Sequence, residues 1–239
     1  MLSKKVTILS TRPLREVAIH NAALKDVIVE TEAFIRTEAV EHPELNKEIH
    51  ALAGKPLTVV FTSMNAVEAV AGILQGQQPS WNIYTLGTAT TSIAKEKFPN
   101  SRISGGGENA SALAELIIKS GDVKSVVFFC GDQRRDELPL KLKENEIEVK
   151  ELTVYKTINL PHRLTKTYDG IMFFSPTAAE SFFKANDPAS STILFAIGNT
   201  TARAIEQYAS NKVITSDHPG KEALLEKVIS YFTTINQHR

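Results

Sequence analysis

The chain has a single cysteine, Cys130, among 239 residues. No intramolecular disulfide can form, and a reducing compartment is the natural expectation. Neither sign of charge is in excess, since 27 Lys and Arg balance 27 Asp and Glu. No overall field draws the chain to nucleic acid or to an anionic membrane. No apolar run approaches the roughly 20 residues needed to cross a bilayer. Met1-Leu2-Ser3-Lys4-Lys5 leads into a strand-like run without the apolar core of a signal peptide. A cytoplasmic protein that engages neither nucleic acid nor membrane is expected. The six histidines, His20, His42, His50, His162, His218 and His238, show neither H-x3-H nor HExxH spacing, and Cys130 has no CxxC partner, so a transition-metal site is not expected. There is no GxxxxGK[ST] loop. Gly105-Gly106-Gly107-Glu108-Asn109 lacks GxGxxG spacing and reads as a flexible strand-to-helix turn.

What the chain does have is an internal repeat. Phe61-Thr62-Ser63-Met64-Asn65-Ala66-Val67-Glu68 recurs as Phe173-Phe174-Ser175-Pro176-Thr177-Ala178-Ala179-Glu180, and Leu86-Gly87-Thr88-Ala89-Thr90 as Ile197-Gly198-Asn199-Thr200-Thr201, at offsets of 112 and 111. Upstream, Val6 to Thr37 aligns without gaps on Val126 to Thr157 at an offset of 120. The slip arises because the connection 38–57 is eight residues longer than its counterpart 158–169. The chain therefore reads A-B-C-D-E followed by A′-B′-C′-D′-E′, each letter one strand-centred unit. Val6–Leu9, Leu57–Phe61, Ser125–Phe129, Ile171–Phe174 and Ile193–Ile197 are continuous apolar runs, as expected of strands covered on both faces. Between them lie amphipathic segments. Ala112, Leu113, Leu116 and Ile117 mark one helical face within Asn109–Ser120. Leu224, Leu225, Val228, Ile229 and Phe232 mark another within Glu222–Phe232. Strand-helix alternation predicts doubly wound α/β lobes with right-handed crossovers. Periodicity alone leaves open whether the lobes are residues 1–120 and 121–239 or exchange their A-B units.

The repeated turns are where such sheets receive anionic ligands. Ser63, Ser175, Thr90 and Thr201 stand where a strand gives way to a helix. Each taken singly reads as an N-cap, worth about 1 kcal/mol. Several together, with their free amides, suit a ligand bearing many carboxylates or phosphates, because one helix end contributes only about 0.3–1 kcal/mol. Pro176 fits the first turn of a helix. Arg12, after strand A, and Arg134-Arg135, after strand A′, offer bidentate forks to a carboxylate; the plainer reading is a solvated pair with Glu16 or Asp136. Tyr155 ends strand B′, and its repeat partner is the apolar Ile35. Chemistry calls for one special group, although a strand tyrosine more often serves packing.

Thr11-Arg12-Pro13, Phe61-Thr62-Ser63-x-Asn65-Ala66-Val67, Gly87-x-x-Thr90, Gly131-x-x-x-Arg135, Thr153-Val154-Tyr155-x-Thr157, Ser175-Pro176-Thr177-Ala178 and Ile197-Gly198-x-Thr200-Thr201-Ala202 occur in this order. As a set they resemble the uroporphyrinogen-III synthase family over nearly the whole chain. The resemblance implies two flavodoxin-like lobes with parallel sheets flanked by helices, joined by a two-stranded linker. The lobes would be residues 38–154, and 1–35 with 159–239, with linker strands near 36–37 and 155–158. It implies a cytoplasmic, monomeric, cofactor-free enzyme of tetrapyrrole biosynthesis. Its small-molecule substrate would be hydroxymethylbilane, a linear tetrapyrrole with eight carboxylates, which loses water and closes with inversion of its last ring through a spiro intermediate. Tyr155 aligns with the family's tyrosine that assists departure of the hydroxyl; a phenol with an ordinary pKa near 10 can donate at neutral pH. Arg12, Thr62, Ser63, Asn65, Thr90, Gly131, Arg135, Ser175, Thr177, Thr200 and Thr201 become candidate substrate contacts. The loop Cys130–Arg135 lacks the second glycine that many members carry, which leaves the choice between Arg134 and Arg135 open. Outside this resemblance two other readings remain: a non-catalytic two-lobed binding protein for an anionic metabolite, and a nucleotide-dependent transferase.

Overall fold

The computed structural model describes residues 5–218 and 220–237; His238 and Met1 to Lys4, considered above, lie outside the described residues. In chain order the first elements are β1 (Val6–Ser10), α1 (Glu16–Ala23), β2 (Val27–Thr31) and β3 (Ile35–Ala39). Then come α2 (Pro43–Ala53), β4 (Thr58–Phe61), α3 (Met64–Leu74), β5 (Asn82–Leu86), α4 (Thr88–Lys97), β6 (Arg102–Gly107) and α5 (Ala110–Ser120). β7 (Ser125–Gly131), α6 (Glu137–Glu144) and β8 (Glu148–Asn159) follow. The last are β9 (Gly170–Phe173), α7 (Pro176–Phe183), β10 (Ile193–Ala196), α8 (Asn199–Glu206), β11 (Val213–Thr215) and α9 (Lys221–Gln237).

Two compact units result. The chain up to Arg36 joins the chain from Ile158 in unit one, and Thr37–Thr157 makes unit two. Unit one holds a parallel sheet in the order β11-β10-β9-β1-β2. Unit two holds the order β3-β8-β7-β4-β5-β6, parallel from β8 to β6. Counted from β1 in unit one and from β7 in unit two, both orders are the flavodoxin-like 2-1-3-4-5. In the letters of the repeat, A and B stand beside C′, D′ and E′ in one sheet, and A′ and B′ beside C, D and E in the other. The chain passes between units within β3 and within β8, a single strand of twelve residues.

The strands form where the apolar runs stand, and their alternation divides each unit into two cores. In β4, Val59 and Phe61 face Trp81, Phe98 and Phe129, whereas Val60 faces Tyr84, Leu113 and Phe128 on the other side of the sheet. Phe61 stacks on both Phe98 and Phe129 at ring distances of 5.8 and 5.2 Å. The buried Trp81 places its indole N–H 3.1 Å from the Leu52 carbonyl. Ser63, Asn109 and Ser175 cap α3, α5 and α7 by accepting first-turn amides.

Two expectations are corrected. Gly105-Gly106-Gly107 is not a turn but the end of β6. Glycine is required there because α5 lies directly on the strand: a Cβ at Gly107 would come within 2.7 Å of the Leu113 amide nitrogen. The buried stripe of α5 is Leu113, Ala114 and Ile117, while Ala112 is exposed and Leu116 is 39% exposed. The helix is rotated toward Val60 and Phe128, and Leu116 reaches instead along β6 to Gly105. Truncating the shared core residue Phe129 to alanine is expected to cost about 3–5 kcal/mol, measured as the fall in unfolding free energy by urea titration; a loss below about 1 kcal/mol would refute the packing described.

Candidate active site

In a 2-1-3-4-5 sheet the crevice for a ligand opens beyond the carboxyl ends of strands 1 and 3, where successive connections leave to opposite faces. In unit one these strands are β1 and β9. Their ends are tied together, because the Thr11 hydroxyl and amide both donate to the Met172 carbonyl, at 2.8 and 3.1 Å. Arg12 leaves this edge from β1 with an exposed side chain, and Ser175, Thr177 and α7 leave it from β9. In unit two the equivalent strands are β7 and β4. They deliver Asp132 to Arg135 on one side and Thr62, Ser63 and Asn65 on the other. Each unit therefore collects its own subset of the candidates on one sheet edge.

The threonines divide. Gly87 and Gly198, not Thr90 and Thr201, occupy the N-cap positions of α4 and α8. Thr90 and Thr201 lie one turn further in and are buried, at 5% and 3% exposure. Their hydroxyls are not caps, because a glycine upstream takes the non-helical backbone of that position. Thr200 is exposed beside Thr201.

The two adjacent arginines have different surroundings. Arg134 pairs with both Asp136 and Glu151 and is partly buried. Arg135 is exposed and meets no carboxylate among the described residues. Arg134 thus binds its own loop, whereas the Arg135 guanidinium stands exposed beside it.

Tyr155 is aimed by an irregularity in β8. Cys130 pairs with Thr153 but Gly131 pairs with Tyr155, so one extra residue is accommodated in β8. Leu152 before the bulge and Val154 within it point into one core, and Val149 toward the other. Strict alternation would put Tyr155 on Val149's side. The bulge instead turns it onto the face of Leu152 and Val154, half-buried over Gly131 at the carboxyl end of β7. Tyr168, by contrast, is near the amino-terminal edge of unit one, where its hydroxyl donates to Glu30 at 2.9 Å; burial, then that carboxylate, pushes its pKa up. A concavity of about 310 Å³ adjoins Tyr168, with Arg163, Lys166 and Asn186 in its wall. It lies before β9 and β10 rather than after them, away from the crevice.

Sequence reasoning missed Lys221. It opens α9, half-buried, with Nζ donating to the Pro13 carbonyl at 3.2 Å beside Arg12. Its acidic neighbour Glu222 is engaged by Arg15 at 2.8 Å. Burial first and Arg12 second hold the Lys221 pKa below its usual value. A cation at a helix N-terminus also opposes the macrodipole. The Glu222 carboxylate offsets part of this stress but does not cancel it. Among the described residues no cluster of His, Cys, Asp and Glu is placed to hold a metal ion, and no helix is long and apolar enough to cross a membrane.

Comparison with known proteins agrees with this architecture at two levels. As a class, the chain is a two-unit α/β protein built like solved uroporphyrinogen III synthases. The structure of a mutant enzyme from Thermus thermophilus matches with a TM-score of 0.65 at 17% identity, over 96% of this chain and 99% of that one. That from Helicobacter pylori 26695 matches at 0.67 and 19%, over 95% and 99%. The family model for uroporphyrinogen-III synthase HemD matches residues 24–226, and the chain belongs to that family. The Saccharomyces cerevisiae uroporphyrinogen-III synthase is 28% identical over 72% of this chain and 75% of its own length.

A lysine whose folded pKa is depressed costs stability while it is protonated in both states, and the cost fades as pH rises through the folded value. Lys221→Met is therefore expected to raise Tm at neutral pH, with the gain shrinking at alkaline pH. A Tm that falls or stays unchanged in differential scanning calorimetry would show that Lys221 is not under electrostatic stress.

Proposed function

We propose that the chain converts hydroxymethylbilane to uroporphyrinogen III by losing water, closing the macrocycle and inverting the last pyrrole ring. The observation that carries this reading is the phenol of Tyr155, turned by a bulge onto the carboxyl edge of β7 beside the crevice residues of unit two. Tyr155 donates its proton to the departing substrate hydroxyl, which leaves as water. The electron-rich pyrrole supplies the push for that step, so the protein's main task is to hold the rings in order.

The eight carboxylates of the substrate call for many donors of modest strength. Each unit offers such donors at its own sheet edge: unit one Arg12, Ser175, Thr177 and Thr200 with the first-turn amides of α7 and α8, unit two Thr62, Ser63, Asn65 and Arg135 with those of α3 and α4. Thr90 and Thr201 contribute by fixing the first turns whose amides bind; their burial supports this over direct contact. We further propose that the enzyme works as a cytoplasmic monomer without a cofactor; a reducing compartment suits the free thiol of Cys130, which is buried and kept protonated by that burial.

Purified protein supplied with hydroxymethylbilane is expected to release the type III isomer; chromatography that finds only the spontaneous type I macrocycle, or substrate recovered unchanged, would overturn the proposal. Tyr155→Phe is expected to lower kcat toward the weak end of the roughly 10²–10⁴-fold range of general-acid catalysis, because cyclisation has a strong driving force of its own. A wild-type rate for this variant would remove Tyr155 from the mechanism.

A further inference from the structure

The last residue of β7 is a glycine for a reason its own backbone does not supply. Gly131 is absent from the positions with positive φ, so its conformation is open to any L residue. What excludes a side chain is Tyr155. A Cβ on Gly131 would fall on the phenol ring, 2.7 Å from Cε2 and 2.8 Å from the hydroxyl oxygen. Comfortable contacts between carbon atoms begin near roughly 3.5 Å. The ring therefore occupies the space that a side chain at 131 would fill.

The next residue fixes the strand that carries the ring. Asp132 donates its amide to the Tyr155 carbonyl at 3.1 Å, and its Oδ1 accepts the Thr157 amide at 3.0 Å. The two bonds fall on either side of Lys156, immediately after the bulge. Without them the end of β8 is released from β7 at the point where alternation has just been broken. The side chain of Asp132 is exposed, so its contribution to the buried cores is small.

We infer that Gly131 and Asp132 are positioning residues for the Tyr155 phenol: the glycine leaves the space in which the ring lies, and the aspartate clamps the backbone on which it is mounted. This rests on the reading of Tyr155 as the proton donor. Gly131 acts through the tyrosine rather than by receiving substrate.

The test compares Gly131→Ala, Tyr155→Phe and the double variant in steady-state assays that also resolve type III from type I product. Gly131→Ala is expected to lower kcat at least tenfold with KM within about twofold, and to raise the type I fraction, since bilane that is not turned over closes spontaneously. The double variant is expected to be no slower than Tyr155→Phe, within about twofold, because a displaced ring has no further phenol to lose. Asp132→Ala is expected to lower kcat without changing KM, and Asp132→Asn, which keeps an acceptor for the Thr157 amide, to restore most of it. If Gly131→Ala does not fold, as judged by circular dichroism, the Asp132 pair decides alone. Wild-type kcat in both Gly131→Ala and Asp132→Ala, or losses that multiply in the double variant, would overturn the positioning role while leaving Tyr155 in place. A wild-type rate for Tyr155→Phe would sink the catalytic reading and this inference together.

Discussion

Each unit depends on one non-local strand pairing: β1 against β9 in unit one and β7 against β4 in unit two. Ile8, Leu9 and Ser10 stand beside Gly170, Ile171 and Met172, and Val59, Val60 and Phe61 beside Val127, Phe128 and Phe129. These pairings bring strands from distant parts of the chain to the centre of a sheet, so they carry most of the loop-closure cost. They also decide where a ligand can be received, because strands 1 and 3 of the winding are the ones whose following helices lie on opposite faces. The fit at the first pairing is tight. A Cβ on Gly170 would meet the Ile8 side chain at 2.9 Å and Phe195 at 3.0 Å. Packing at the sheet centre and placement of Arg12 and Ser175 at its edge are therefore one constraint seen at two ends of the same strands.

The strands were legible because buried parallel strands need apolar residues on both faces, and few other elements produce runs such as Ser125-Val126-Val127-Phe128-Phe129. The turn hydroxyls of Ser63 and Ser175 were legible as caps because the chemistry is local. Thr90 and Thr201 were misread although the sequence carried the signal: Gly87 and Gly198 precede them at cap spacing, and glycine also suits that position. The run Gly105-Gly106-Gly107 was misread because glycine punctuates loops more often than it makes room for a helix, and only the approach of Leu113 distinguishes the two. Tyr155 stood out by breaking the repeat. Its orientation could not be read, since a bulge is a property of two strands in register and not of either alone. Lys221 was invisible for a similar reason: a lysine in a first helical turn reads as solvated until Arg12 and Pro13 are brought beside it.

Several features of the candidate site run against ordinary stability rules. Lys221 meets a like charge and the wrong end of a helix, and β8 interrupts its ladder next to Gly131. In the aromatic stack of Phe61, Phe98 and Phe129, by contrast, local preference and tertiary packing agree. Departures of this kind collect where function needs them. Arg134 shows the complementary case, since its pairing with Asp136 and Glu151 holds the loop that leaves Arg135 exposed.

The exchange of strands between units has a consequence in time. Unit two is one uninterrupted stretch, Thr37–Thr157, whereas unit one begins before it and resumes only at Ile158. On the ribosome, β1 and β2 emerge before unit two yet lack their central neighbour until Gly170–Phe173 has been made. Every strand of unit two is available earlier. β1 and β2, apolar and unpaired at the edge later taken by β9, wait through the synthesis of unit two, which leaves that edge open during vectorial translation.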